Sequence, residues 1–436
     1  MEKMVNTAGV FLWGSLIGAV TWQEDREYAV FQYSTDFQNS GIQVAPLMMP
    51  LREFPYEFPA LPRNTFRGLP GMLADSLPDR FGNALIDAWL AAEGRSTASF
   101  HPVERLCYIG RRGMGALEYE PALVSPYAES DVLDVARLVD LANKILKERA
   151  NLTGVFSGKE DRKAMEDILR VGSSAGGARA KAVLAWNPET KKFRSGQVEA
   201  GQGFEYWILK FDGIQNNRDK ELSDPLGFGR IEYAYHLMAV EAGIRMMQCE
   251  LFEEGPRCHF MTRRFDRTDT GGKYHMQSLG ALRHLDYNQS GSSSYEQAIE
   301  VIRRLGLPRT DLEQQVLRAM FNVVCRNCDD HVKKIAFLMN QRGEWRLSPA
   351  FDLTYAWNPQ GEWTNRHQMS VNQKRESIER DDLAALADRA GIKSKQANEM
   401  MDQVLASAGN WLAFADEAGM GERRAEEIRG NLCLDL

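Results

Sequence analysis

The sequence predicts an α+β fold made of a β-rich amino-terminal part, a second sheet-containing lobe and a largely helical carboxyl-terminal lobe. Three observations lead to this prediction: strand-like apolar clusters dominate residues 8–34, further strand-like segments follow residue 171, and helical spacing prevails after about residue 290. We place the three parts at residues 1–125, 126–285 and 286–436.

Length and composition fit a large folded protein. The chain has 436 residues, 44% of them hydrophobic, and a formal net charge of −7, which argues against a general nucleic-acid surface but leaves room for a local basic groove. No apolar run reaches the roughly 20 residues that span a bilayer, and the six cysteines are too scattered for a disulfide framework. We therefore expect a cytoplasmic protein without a membrane partner.

The amino-terminal part is expected to begin with a β-hairpin or meander over residues 8–34, where polar pairs break the apolar clusters. A helix follows in SLPDRFGNALIDAWLAAEG, with Ser76 as its cap, Pro78 in its first turn and Gly94 past its end. A second amphipathic helix is predicted at residues 130–148.

The middle and carboxyl-terminal parts are predicted from the segments that follow. GSSAGGARAKAVLAW, FEYWILKFDG, CHFMTRRFDR and KYHMQSL are strand-like, and IEYAYHLMAVEAG is helical. Thr310 and Glu313 form a capping box for the helix DLEQQVLRAMFNVVC. The strand IAFLM, the turn NQRGE and the strand WRLSPAFDL then form a hairpin, and residues 378–436 are helical.

Several of these segments carry groups that phosphoryl transfer from ATP requires, namely amides that cradle phosphates and a lysine on a strand. GSSAGGARAK offers Gly176 and Gly177, whose missing Cβ lets backbone amides approach an anion, with Arg179 and Lys181 adding positive charge. Lys210 ends the strand-like run YWILK. The alternatives are an ordinary glycine-rich turn and a solvent-exposed lysine at a strand end.

The stretch NCDDHVKK, residues 327–334, is more specific because it lies between a predicted helix and a predicted hairpin. Protein kinases place a catalytic Asp in such a loop, a metal-binding Asn five residues later and a second metal-binding Asp after a hairpin. Asp329 and Asp352 take the first and last of these positions, whereas Lys334 stands at the middle one. A charged lysine has no lone pair, so Lys334 either contacts phosphate oxygens or cancels one metal site.

The spacing of Cys325, Cys328 and His331 is also compatible with a zinc or redox site. A zinc site of this type needs a second ligand pair, and the sequence nearby has none. Buried thiols are the favoured interpretation.

With these motifs in this order, the chain resembles the HipA-type serine/threonine kinases, the toxin halves of bacterial toxin–antitoxin pairs. The resemblance extends over essentially the whole length and rests on LADSLPDRFGNALID, SSAGGARAK, ILKFDG, RRFDR and the pair NCDDHVKK and SPAFDL. It implies a protein-kinase-like two-lobe fold and the cofactors ATP and Mg²⁺.

The resemblance also implies roles for single residues. Asp329 is the catalytic base, Asp352 binds Mg²⁺, and Ser174 is the site of autophosphorylation, with Ser173 beside it as the alternative. The implied ATP-binding residues are Gly176, Gly177, Ala178, Arg179, Ala180, Lys181, Lys210, Arg263, Arg264, Phe265, His331, Lys333 and Lys334. Of these, the resemblance implies that Arg263, Arg264 and Phe265 lie along the adenine-binding hinge.

Three functions follow from the sequence. The first is a protein kinase that modifies a translation protein such as an aminoacyl-tRNA synthetase. The second is a homologue impaired by Lys334 that acts as a co-repressor, bound to a HipB-like helix-turn-helix antitoxin and through it, indirectly, to operator DNA. The third is a kinase for a small molecule or lipid, against which the serine at position 174 argues.

Overall fold

A computed structural model describes residues 5–123, 133–147, 168–169, 171–172, 179–197, 199–214, 226–268 and 270–436. Strands and helices are both abundant in these ranges, which confirms the predicted α+β class. Within them, no helix combines the length and the apolar character needed to cross a membrane.

The amino-terminal part is built on a four-stranded antiparallel sheet. Its first three strands form the meander predicted for residues 8–34: β1 (Thr7–Leu12), β2 (Ser15–Gln23) and β3 (Tyr28–Tyr33). The fourth strand, β4 (Leu117–Glu120), returns later in the chain to pair with β1. Val10, Val20 and Phe31 are fully buried, so one face of this sheet carries the local core.

The connection between β3 and β4 is helical: α1 (Thr35–Gln38), α2 (Arg63–Phe66), α3 (Gly71–Ala74), α4 (Arg80–Ala92) and α5 (Pro102–Ile109). Helix α4 is the helix predicted after Ser76, but the predicted cap was wrong. Asp79 is the cap, and its side chain accepts a hydrogen bond from the amide of Gly82 at 2.9 Å. Ser76 is engaged elsewhere, because its hydroxyl accepts a bond from the Tyr119 hydroxyl at 2.6 Å.

A five-stranded antiparallel sheet, in the order β6-β5-β7-β9-β8, forms the middle lobe. Its elements are α6 (Val135–Lys147), β5 (Lys181–Asn187), β6 (Lys192–Ser195), β7 (Glu205–Lys210), α7 (Phe228–Glu241), β8 (Cys249–Glu254) and β9 (Arg257–Arg263). Strands β5 and β7 pair in a register that places Lys181 opposite Lys210. The sheet therefore brings the end of the glycine-rich segment next to the strand lysine.

The carboxyl-terminal lobe contains the predicted hairpin and several packed helices. Its elements are β10 (His275–Ser278), α8 (Leu279–Arg283), β11 (Ser293–Ser294), α9 (Tyr295–Arg304), α10 (Arg309–Val324), β12 (Ala336–Met339), β13 (Trp345–Leu347), β14 (Met369–Ser370), α11 (Arg380–Arg389), α12 (Ser394–Gly409), α13 (Trp411–Glu417) and α14 (Glu422–Arg429). Strand β10 adds a third strand to the β12–β13 hairpin. Buried apolar side chains of α7, α9, α10 and α12 share one core.

The capping box predicted for α10 was wrong. The helix begins at Arg309, one residue before Thr310, and Pro308 occupies the cap position without a side-chain bond to the helix. Glu313 accepts instead from Arg309 Nε at 2.9 Å, across one helical turn, and from Gln396. An ion pair within the helix thus replaces the reciprocal capping bonds.

A buried charged cluster joins the amino-terminal part to the middle lobe. The Asp266 carboxylate accepts hydrogen bonds from Arg264, from Arg267 and from the backbone amide of Gly115 at 2.7 Å. Arg267 in turn donates to the carbonyl of Gly113 at 3.1 Å. Burial would raise the pKa of Asp266, but the two guanidinium groups outweigh it and hold that pKa well below its usual range.

Candidate active site

Lys210 is the cation around which the candidate site is arranged. Its ammonium Nζ donates hydrogen bonds to the carboxylates of Glu232, on α7, and of Asp352, in the loop after β13. Burial alone would lower the pKa of Lys210, but the two carboxylates outweigh it, and the pKa is raised. A fixed positive charge therefore lies where β7, α7 and this loop meet.

Glu232 completes this arrangement, and the sequence reasoning missed it. In protein kinases an ion pair between a strand lysine and a helix glutamate must be in place for activity. Glu232 is 2% exposed and is the one acidic side chain among the buried residues of α7, all of which the structure describes. A buried carboxylate needs a partner. The single acidic residue in the largely apolar run IEYAYHLM could therefore have identified Glu232 as a candidate site residue.

Asp352 has a left-handed backbone, with φ of 56°. The sequence placed it at the end of a strand, which was wrong: β13 ends at Leu347, and a left-handed residue cannot continue a strand. One oxygen of its carboxylate accepts from Lys210, and the other accepts from Lys334 Nζ at 2.5 Å. Burial would raise the pKa of Asp352, but the two lysines hold it well below its usual range.

Asp329 lies in the loop that follows α10, with its side chain 34% exposed. Its Oδ1 accepts a hydrogen bond from Trp363 Nε1 at 2.8 Å, and its Oδ2 lies 3.4 Å from Lys334 Nζ. Burial opposes ionisation, but Lys334 and His331 outweigh it and lower the pKa of Asp329. The group is therefore an ionised carboxylate that remains accessible, as a proton acceptor must be.

Asp330, the next residue, is buried and stabilises the loop that carries Asp329. Its Oδ2 accepts from the Tyr295 hydroxyl at 2.8 Å and lies 2.9 Å from His367 Nδ1, while its Oδ1 accepts from the amide of Gln368 at 2.7 Å. Burial would lower the pKa of His367, but Asp330 outweighs it and raises the pKa to about 10. The resulting buried ion pair ties the loop to residues 367–368.

The donor set at Asp352 fits one Mg²⁺, the ion that the resemblance implies. Each carboxylate oxygen has two lone pairs, and the bonds from Lys210 and Lys334 use one on each oxygen. Mg²⁺ in nucleotide sites is held by one or two carboxylates together with phosphates and waters. Among the described residues, no group of three or more His, Cys, Asp and Glu side chains is arranged to hold a metal. The fit therefore depends on phosphate oxygens as further ligands.

The glycine-rich segment is only partly described. Ser173, Ser174, Gly176, Gly177 and Ala178 lie outside the described residues.

The residues that end this segment lie close to Lys210. Arg179 stacks on Phe228, with its guanidinium carbon 3.1 Å from the ring centre, and Ala180 is buried. Lys181 Nζ lies 3.4 Å from Asp79 Oδ2, and burial lowers the pKa of Lys181 although Asp79 opposes this. Asp79 also was not predicted as a site residue.

Arg263, Arg264 and Phe265, predicted along the adenine hinge, have three different surroundings. Arg263 ends β9 and lies 3.4 Å from Glu205. Arg264 is buried in the Asp266 cluster and also donates to the carbonyl of Gly196 at 3.0 Å. The Phe265 ring lies 5.3 Å from the ring of Phe351, the neighbour of Asp352. The side chain of Arg264 thus has a structural role, while adenine contact by this segment stays a prediction.

His331 and Lys333 lie beside Asp329 in the same loop. The His331 Nε2 atom is 3.8 Å from Asp329 Oδ1, and its Nδ1 accepts from the amide of Lys333 at 3.3 Å. Burial lowers the pKa of His331 to about 4, so the ring is neutral near pH 7. Lys333 Nζ lies 4.8 Å above the ring of Tyr287.

Cys325 and Cys328 are buried thiols, as the sequence favoured. The carbonyl of Cys325 accepts from the Tyr235 hydroxyl, and Cys328 Sγ lies 3.9 Å from His367 Nε2. Cys325 belongs to the hydrophobic core of the carboxyl-terminal lobe, and Cys328 is buried in the loop that carries Asp329.

Two family models match the chain. The model described as the HipA-like C-terminal domain matches residues 173–427, which is more than half of the chain, and the model described as the HipA N-terminal domain matches residues 8–120. The putative kinase Y4mE of Sinorhizobium fredii is 27% identical over 125 residues. That match spans 27% of this chain and 30% of the length of Y4mE.

The chain also matches solved structures. HipA of Shewanella oneidensis, in a complex with HipB and its operator DNA, has a TM-score of 0.67 at 17% identity and covers 97% of this chain and 94% of that one. The Helicobacter pylori proinflammatory kinase CtkA has a TM-score of 0.34 at 13% identity and covers 53% of this chain and 88% of that one.

The likeness to Shewanella HipA extends over nearly the whole chain and confirms the predicted kinase-like fold. The two family models, in the order HipA N-terminal domain and HipA-like C-terminal domain, cover the two ends of this fold. The chain belongs to the HipA family.

Proposed function

We propose that the chain is an ATP- and Mg²⁺-dependent protein serine/threonine kinase and the toxin of a toxin–antitoxin pair. The observation that carries the proposal is the convergence of Lys210, Glu232 and Asp352 next to the ionised carboxylate of Asp329. These groups match the positioning lysine, helix glutamate, metal ligand and base that phosphoryl transfer to a hydroxyl requires.

The main residues of the candidate site have separate roles in this proposal. Asp329 accepts the proton of the substrate hydroxyl as that oxygen forms its bond to phosphorus and the bond to the ADP oxygen breaks. Lys210, oriented by Glu232, contacts phosphate oxygens, and Arg179 and Lys181 add positive charge at the end of the glycine-rich segment. Mg²⁺ bound at Asp352 would neutralise charge on the phosphates.

Ser174 is the proposed site of autophosphorylation. A phosphate there adds about −1.5 to −2 charges to the segment proposed to cradle the incoming phosphates, so like-charge repulsion opposes ATP binding. Modification therefore acts as an off switch. The proposed substrate in trans is a translation protein such as an aminoacyl-tRNA synthetase, and the proposed location is the cytoplasm, with which six free thiols are consistent.

The test is the intact mass of the purified chain before and after incubation with Mg²⁺ and ATP. We expect one added phosphate that maps to Ser174, and no addition in Asp329→Asn, which keeps the shape of the side chain but removes its basicity. Asp381→Asn is the control, because Asp381 is an exposed carboxylate in the first turn of α11. Unchanged phosphate uptake in Asp329→Asn would show that Asp329 is not the base.

The impaired co-repressor remains the second candidate, because Lys334 stands at the metal-Asn position and is bonded to Asp352. The partner would be a HipB-like antitoxin, in keeping with the Shewanella HipA structure, which includes HipB and operator DNA. Phosphate uptake by Lys334→Asn alone, together with slower release of operator DNA from the antitoxin when the unaltered chain is present, would support this candidate.

A further inference from the structure

Lys334 joins the two carboxylates of the candidate site. It is the last residue of a single 3₁₀ turn, Val332–Lys334, and its Nζ lies 2.5 Å from Asp352 Oδ2 and 3.4 Å from Asp329 Oδ2. Its side chain is 17% exposed, so solvent screens these interactions weakly. A positive charge is therefore built into the space between the proposed base and the proposed metal ligand.

This charge is incompatible with a metal ion at the same place. In protein kinases two Mg²⁺ ions are held by the Asp after the hairpin and by an Asn five residues after the catalytic Asp. The ammonium of Lys334 has no lone pair, so it cannot replace the Asn oxygen. A second ion at the place of the Asn oxygen would also lie against Lys334 Nζ, which is 2.5 Å from Asp352 Oδ2, and would be strongly repelled.

Neighbouring acids do not offer a substitute ligand. Asp330 is buried and bonded to Tyr295 and Gln368, and Glu232 is bonded to Lys210. In the part of the chain that the structure describes, no three or more His, Cys, Asp and Glu side chains are grouped to hold a metal ion. The site therefore provides oxygen ligands for one metal ion at Asp352 and a lysine where a second ion would be bound.

We propose that Lys334 takes the place of the second metal ion, so that the nucleotide-bound chain loads one divalent cation. The ammonium supplies the other positive charge against the phosphates, and its bond to Asp352 leaves two donors for their oxygens. This inference rests on the proposed kinase function and specifies the metal stoichiometry of the same site. Lys334 is then a working part of the site, and the co-repressor candidate loses its main support.

The test counts Mn²⁺ ions on the complete chain with a non-hydrolysable ATP analogue. Mn²⁺ replaces Mg²⁺ because free Mn²⁺ is measured directly by electron paramagnetic resonance, and bound nucleotide is measured in the same samples by equilibrium dialysis. We expect one Mn²⁺ per bound nucleotide in the unaltered chain and a second in Lys334→Asn, which restores an oxygen ligand and removes the charge.

Lys374→Asn is the matched control, because Lys374 also bridges two carboxylates, Glu379 at 2.9 Å and Asp382 at 2.8 Å, on a different part of the lobe. It should keep one Mn²⁺ per nucleotide.

Each remaining outcome has one meaning. Two Mn²⁺ ions on the unaltered chain would overturn the inference and leave the proposed function standing, and so would a single ion on a Lys334→Asn variant that still binds nucleotide. Absence of nucleotide binding by the unaltered chain would overturn the proposed function and the inference with it. The count on the unaltered chain needs no variant, so a variant that fails to fold does not affect the test.

Discussion

At the scale of single residues, the adjacent carboxylates Asp329 and Asp330 have opposite surroundings. The side chain of Asp329 is 34% exposed and that of Asp330 is 1% exposed. Asp329 is ionised and accessible, whereas both carboxylate oxygens of Asp330 are bonded, to Tyr295, His367 and Gln368. Asp330 therefore stabilises the loop, whereas Asp329 is accessible for its proposed role as the base.

Glu232→Gln should lower the rate of phosphate transfer about 10- to 100-fold, because a charge-assisted hydrogen bond to Lys210 is worth about 1.5–3 kcal/mol. The amide preserves the shape of the side chain but holds the ammonium less firmly. The measurement is the rate of autophosphorylation at saturating ATP.

Glu241→Gln is the control for this substitution, since Glu241 is an exposed residue of the same helix. It should leave the rate within about twofold. An equal loss in both variants would indicate a general effect on α7 and argue against an orienting role for Glu232.

His367 makes the stability of the Asp330 loop depend on pH. Its pKa rises from the ordinary 6.5 to about 10 in the folded chain, so its contribution is complete below about pH 6.5 and disappears as the pH rises toward 10. His367→Gln keeps a donor for Asp330 and removes the titration. We expect the unaltered chain to exceed this variant in unfolding free energy by a few kcal/mol at about pH 6 and by much less at about pH 10.

Urea unfolding of both proteins at the two pH values measures this difference. An equal difference in unfolding free energy at the two pH values would show that Asp330 does not keep His367 charged in the folded state.

At the scale of elements, helix α4 of the amino-terminal part is joined to strand β5 of the middle lobe through Asp79 and Lys181. Asp79→Asn is a selective substitution, because Asn caps a helix as well as Asp does. It should lower the free energy of unfolding by about 3 kcal/mol, since it removes the carboxylate charge that lies 3.4 Å from the buried ammonium of Lys181.

Asp87→Asn on the same helix provides the comparison. Asp87 pairs with Arg105 at 3.0 Å, but its side chain is 39% exposed, so the expected loss is below about 1 kcal/mol. Denaturant unfolding of both variants measures the difference, and equal losses would mean that the Asp79–Lys181 pair contributes nothing beyond a surface pair.

The elements themselves were largely predictable, and their ends were not. The meander of β1–β3, strand β7 and the β12–β13 hairpin follow from apolar periodicity, which depends on local sequence alone. The caps of α4 and α10 were predicted wrongly because Ser76 and Glu313 find partners in Tyr119, Arg309 and Gln396. Motif spacing does not reveal such competition between hydrogen-bond partners.

At the scale of the whole molecule, candidate site residues that belong to sequence motifs were predictable, and those brought in by the packing of helices were not. Asp329 and Asp352 were predicted from motif spacing and Lys210 from its place after the glycine-rich segment, and the structure places Lys210 and Asp329 on either side of the Lys334–Asp352 pair. Glu232 and Asp79 were missed because their contacts with Lys210 and Lys181 depend on how helices pack against the sheet. Local sequence does not show this packing. Neither has a motif of its own.

The division into residues 1–125, 126–285 and 286–436 stays a prediction. Two hydrogen bonds cross the first of these boundaries: the amide of Gly115 donates to Asp266, and Arg267 donates to the carbonyl of Gly113. A further bond, from Trp13 Nε1 to the carbonyl of Lys273 at 2.7 Å, crosses it as well. We infer that the first two parts depend on each other for stability.

The Asp266 cluster also sets an order of events during synthesis on the ribosome. The first sheet can close once β4 has emerged, because β1 pairs with β4 within the first 120 residues. Its polar partner Asp266 emerges 151 residues after Gly115, a delay of roughly ten seconds or more at usual translation rates. During that interval the amide of Gly115 and the carbonyl of Gly113 lack the partners that Asp266 and Arg267 later supply, so this junction can form only after the first sheet.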